Sequence, residues 1–114
     1  MASAEGFRRA ALNLPKTVEK PHFDRTSFRI DAPKGKIFAT MPSDAETANL
    51  KLMPDQQDML CQAEPKLFSP VPGKWGESGW TVLQLGAIDA VTLESALTMA
   101  WKTAAPTKLW SLLS

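Results

Sequence analysis

Between Thr17 and Met53 the chain alternates apolar and polar residues in four short runs, and the links between the runs are only a few residues long. A parallel pair of strands needs a crossover of a dozen or more residues, so such links force antiparallel pairing. The runs are Val18–Phe23, Thr26–Asp31, Lys36–Met41 and Thr47–Met53. Turns are predicted at Asp24-Arg25, Ala32–Gly35 and Pro42-Ser43-Asp44, where Pro, Gly, Ser and Asp favour reversal. Pro21 makes the first run a short or edge strand, because proline cannot donate to a ladder.

Helical periodicity surrounds this block. Phe7, Ala10, Ala11 and Leu14 recur at helical spacing, with Ser3 as the N-cap and Pro15 as the stop. Pro54 opens a second helix whose stripe is Met59, Leu60 and Ala63. Residues 65–79 hold three Pro and three Gly and read as a long loop. Trp80–Leu85 is a fifth strand. A last helix follows, capped by Asp89 or Thr92, with the stripe Leu93, Ala96, Leu97, Ala100, Trp101 and Ala104. The terminal LWSLLS folds back on the core.

The order α-β-β-β-β-α-β-α predicts an α+β domain spanning residues 1–114. An antiparallel sheet of about five strands carries about three helices on one face, and the other face stays uncovered. At 114 residues the chain can bury a core without staples. Its single cysteine, Cys61, forms no internal disulfide and is expected as an inert thiol. No run approaches the ~18 apolar residues of a transmembrane helix, and the N-terminus lacks a signal-peptide core. A cytoplasmic protein with no membrane association is the expectation.

Strand parity then sorts the side chains. With Phe28, Ile30, Leu50 and Leu52 inward, Ser27, Arg29, Asn49 and Lys51 point outward. With Ile37, Ala39 and Met41 inward, Lys36, Phe38 and Thr40 point outward. The uncovered face thus carries Arg29, Lys36 and Lys51 around Phe38, with Lys34 and Lys74 at its periphery. Cations attract phosphates without regard to sequence, and a ring can stack on a base. The charge balance leans the same way: residues 1–53 hold nine Lys/Arg against six Asp/Glu, whereas residues 54–114 hold four against six. A second candidate surface is loop 65–79, where Phe68, Val71 and Trp75 adjoin Trp80 and suit a protein partner, a second copy of the chain or a small ligand.

Reaction chemistry finds little footing. Ser27, His22 and Asp24 are close in sequence, but no strained nucleophile turn or Gly-rich oxyanion hole accompanies them. One His and one distant Cys cannot build a zinc site. Gly73-Lys74-Trp75-Gly76 lacks P-loop spacing. A non-enzymatic protein without a cofactor or metal is expected.

Several ordered pieces resemble the MmcQ/YjbR family. They are Glu19-x-x-His22-Phe23-x-x-x-Ser27-Phe28-Arg29-Ile30, Gly35-Lys36-Ile37-Phe38-Ala39, Leu50-Lys51, Phe68-x-x-Val71-Pro72, Gly76-x-x-Gly79-Trp80, and Trp101 with Ala105-Pro106-x-Lys108-Leu109. The turn Ala32–Gly35 is longer than the tight turn usual in that family. The resemblance implies a CyaY-like α+β fold and a role commonly labelled DNA-binding. The same fold includes frataxin-type iron binders with an acidic first helix; here that helix carries Arg8 and Arg9 beside a single Glu5.

Overall fold

Ser3 starts the first helix by accepting the Gly6 N–H on its Oγ at 3.0 Å, and α1 runs over Ala4–Leu12. The computed structural model describes residues 3–42 and 46–113. Six strands follow the alternating runs: β1 Thr17–His22, β2 Arg25–Ile30, β3 Ile37–Pro42, β4 Thr47–Lys51, β5 Phe68–Pro70 and β6 Trp80–Gln84. They form one sheet in the order β1-β2-β3-β4-β6-β5, every pair antiparallel. The α+β class and the antiparallel sheet match the expectation. The first turn sits one residue earlier than predicted, at Phe23-Asp24, because His22 pairs with Arg25. The expected turn at Pro42-Ser43-Asp44 falls mostly outside the described residues.

The sixth strand comes from the segment read as a loop. Phe68–Pro70 pairs with β6, and Phe68 sits opposite Leu83. A short helix, α3 (Lys74–Glu77), occupies much of the remainder. Both sheet edges therefore carry a proline, Pro21 in β1 and Pro70 in β5. An edge strand is where a residue without an N–H is tolerated.

The first and last α-helices cover one face. α4 (Ala90–Ala104), capped by Asp89 accepting the Thr92 N–H at 2.7 Å, packs over β2, β3 and β4. α1 packs on β1 and α4. α2 (Pro54–Ala63) instead lies beside the β5 edge. The core joins Phe7, Phe28, Leu50, Leu83, Leu97 and Trp101, all buried. Phe7 meets Phe28 edge-on at 5.7 Å. Each such side chain contributes roughly 1.5–3 kcal/mol by burial. Trp101 Nε1 donates to the Pro15 carbonyl at 2.8 Å, fastening α4 to the link between α1 and β1. The tail forms a 3-10 helix over Thr107–Leu113; Leu109 and Leu113 rest on the core while Trp110 lies under the Lys102 ammonium at 5.2 Å.

One irregularity changes the parity of β3. Phe28 pairs with Ala39, but Arg29 pairs with Ile37, so Phe38 is an extra residue without a cross-strand partner. Such a bulge redirects the side chains around it. Phe38 is wholly buried in the core rather than displayed on the open face, and Ile37 sits opposite the outward Arg29.

Candidate functional site

The face away from α1 and α4 is read from the register. Its outward positions are Val18, Lys20 and His22 on β1; Arg25, Ser27 and Arg29 on β2; Ile37, Thr40 and Pro42 on β3; Thr47, Asn49 and Lys51 on β4; Trp80, Val82 and Gln84 on β6; and Ser69 on β5. Four cations stand among these strand positions, and no carboxylate does. The acidic strand residue Glu19 points the other way, where its Oε1 accepts from Arg8 Nε of α1 at 2.6 Å.

The middle of this face is polar and partly roofed by arginines. Ser27 Oγ donates to the Lys20 carbonyl at 2.8 Å and accepts from Arg29 Nη2 at 2.8 Å. Arg25 Nε donates to Thr40 Oγ1 at 3.0 Å. These contacts lay both guanidinium groups along the sheet and bury Ser27 completely. Arg29 Nε is buried without a hydrogen-bond partner. Neither arginine forms an ion pair with a carboxylate among the described residues.

At one end of the face Lys51 Nζ donates to the Ser78 carbonyl. Burial, and then the charge of nearby Lys36, hold its pKa below the ordinary lysine value. Two ammonium groups thus share one region, a situation that a bound anion relieves.

Next to Lys51, whose cross-strand neighbour is Trp80, lies a cleft of about 240 Å³ lined by His22, Arg25, Thr40, Asn49, Val71, Trp75 and Trp80. Gln57, itself buried, holds its wall. Its Nε2 donates to the carbonyls of Gly76 and Trp80 at 2.9 and 3.0 Å, joining α3 to β6. Gly76 has no room for a side chain, since a Cβ there meets the Val71 carbonyl oxygen at 1.8 Å. Trp75 is consequently presented outward, 68% exposed. The indole N–H groups of Trp101 and Trp110 each donate to a backbone carbonyl. Those of Trp75 and Trp80, and the Asn49 amide, have no partner among the described residues. Beside the cleft, Phe23 meets His22 edge-on at 4.9 Å, is 94% exposed, and holds a φ of 60° that non-glycine residues seldom adopt.

The family model for YjbR matches residues 12–103. The chain belongs to the YjbR family. Among solved structures, Deinococcus radiodurans protein DR2400, with a DUF419 domain, superposes with a TM-score of 0.79 at 21% identity, covering 95% of this chain and 82% of that one. A protein from Pseudomonas syringae superposes with a TM-score of 0.69 at 15% identity, covering 90% and 98%. No curated protein matches the chain. At identities this low the likeness shows a shared fold alone.

On this YjbR frame the residues singled out from sequence divide clearly. Arg29 and Lys51 face outward on the same side of the sheet; Lys36, expected there too, is set by the bulge opposite the inward Ile30 and lines a hollow against the end of α4, from where its charge still reaches Lys51. Lys34 is exposed in the β2–β3 turn, in a hollow against the C-terminal end of α4. Lys74 begins α3 beside Trp75. Phe38 is lost to the bulge. Phe68 is only 2% exposed, because its pairing with Leu83 turns it into the core instead of toward a partner. Trp75 and Trp80 do share a surface, and it is continuous with the sheet face. The two surfaces that the sequence suggests separately are one.

Sequence reasoning overlooked Arg25, Thr40 and Asn49 as neighbours of the tryptophans, and Lys20 as a further outward cation on β1. Arg25 shares parity with Ser27 and Arg29 once the turn is placed at Phe23-Asp24, which is the signal that could have found it. Cys61 is half-buried, with its thiol pKa pushed up by burial and by Asp58, which keeps it protonated. No group of three or more His, Cys, Asp or Glu converges among the described residues, and no helix there is long and apolar enough to cross a membrane.

Proposed function

We propose that this domain is a non-enzymatic module that binds DNA through the outer face of its sheet. The observation that carries the reading is the charge pattern of that face: Lys20, Arg25, Arg29 and Lys51 on outward strand positions, with no Asp or Glu among them. Such a face attracts a polyanion electrostatically and repels basic partners. Arg29 and Lys51 take phosphates, and the charge of Lys36 reaches Lys51. The depressed Lys51 pKa marks an ammonium that an incoming anion stabilises.

Titration of a labelled oligonucleotide at several salt concentrations tests this. Three to five phosphate contacts give a slope of log K against log salt of roughly −3 to −4.5 for duplex and roughly −2 to −3.5 for a single strand. The double charge reversal Arg29→Glu/Lys51→Glu is expected to abolish binding. Binding that survives the reversal, or none at low salt, rejects the reading.

A further inference from the structure

We infer that the cleft beside Trp75 and Trp80 receives an unpaired base, so that the DNA bound on the outer face is single-stranded there. This rests on the DNA-binding reading above and specifies what its aromatic end recognises.

The cleft offers a ring surface and hydrogen-bonding groups together. Trp75 is 68% exposed on the wall that Gln57 braces, so an incoming ring finds a fixed stacking partner. Trp80 lines the same space. The Asn49 amide supplies both donors and an acceptor and is unengaged, as are the two indole N–H groups. Asn49 lies opposite Thr40 and Val82 in the middle of the sheet, within the cleft rather than at its rim. A base edge is a ligand that uses a flat apolar face and such polar groups together. Inside a duplex that face is covered by its stacked neighbours, so the base must be unpaired to enter.

The surroundings suit the rest of the strand. Arg25 forms part of the cleft and Lys74 stands beside Trp75, while Lys51 borders it opposite Trp80 and Arg29 lies on the same face of the sheet. On the opposite side, Phe23 extends the aromatic surface past His22. A fully exposed phenylalanine in a left-handed backbone conformation is a costly residue to hold at a turn, and a position beside a binding cleft accounts for it.

The test compares two probes of equal charge, a roughly 20-nucleotide oligothymidylate and an abasic strand of the same length, at about 50 mM salt. The oligothymidylate is expected to bind about tenfold or more tightly and to quench tryptophan fluorescence. Trp75→Ala, at an exposed position, is expected to erase that margin while leaving the abasic strand's affinity unchanged. Asn49→Ala is expected to narrow the margin. Equal affinity for the two strands, both lost in Arg29→Glu/Lys51→Glu, overturns the cleft assignment and leaves the cationic face standing. Failure of both strands to bind overturns the two together.

Discussion

The side-chain amide of Gln57 donates to the backbone carbonyl of Trp80 at 3.0 Å, across a separation of 23 residues in sequence. The same nitrogen reaches Gly76, so one buried amide decides where the Trp75-bearing turn sits relative to the sheet. Gln57→Ala removes two buried hydrogen bonds and leaves a void. The expected loss is about 2 kcal/mol of stability, read as a lower urea midpoint at unchanged slope. The substitution also loosens Trp75, so the preference for oligothymidylate over the abasic strand is expected to shrink. An unchanged midpoint contradicts the bracing role.

Phe23 makes the opposite prediction. Its φ of 60° at the first turn position favours glycine, and its ring touches little besides His22. Phe23→Gly is expected to stabilise the fold by about 1 kcal/mol and to weaken single-strand binding severalfold. Thermal melting and an oligothymidylate titration on the same variant separate the two effects. A destabilised variant shows that the ring supports the hairpin.

Gly79 has a φ of 114°, and a Cβ there meets the Leu52 carbonyl oxygen at 1.9 Å. The Leu52 N–H donates to the Gly79 carbonyl at 3.0 Å, so the two backbones cannot easily part. Gly79→Ala is expected to cost about 3 kcal/mol. Calorimetry is the check, and a melting temperature equal to that of the wild type refutes the close approach.

Lys51 titrates below the ordinary lysine value, through burial first and Lys36 second. The unfolded chain holds that proton more tightly than the folded one. This lysine's contribution to stability therefore rises with pH across the window between its lowered value and the ordinary one. Lys36→Gln removes the second cause, and the Lys51 ammonium is expected to titrate at higher pH. Side-chain NMR of labelled lysine follows it directly. An unmoved midpoint assigns the whole shift to burial.

The antiparallel sheet was readable from sequence because Phe28, Ile30, Leu50 and Leu52 alternate cleanly with polar residues, and one buried side fixes such a register. Phe38 escaped because a bulge depends on how two strands meet, which neither strand's own alternation records. β5 escaped because Phe68-Ser69-Pro70 is too short and too proline-rich to look like a strand; tertiary pairing with β6 makes it one. The outward cations Arg29 and Lys51 were legible through parity. The cleft was not, since Arg25, Asn49, Trp75 and Trp80 come together only when β4 and β6 become neighbours.

Proline at both margins of the sheet has a consequence for assembly. A second molecule adding itself as a seventh strand needs an uninterrupted row of donors, and Pro21 and Pro70 each break that row. The β5 side is further shielded by α2. Growth into fibrils by strand addition is thereby discouraged at either end, which lets the domain keep a broad uncovered sheet surface in use while remaining discrete at high concentration.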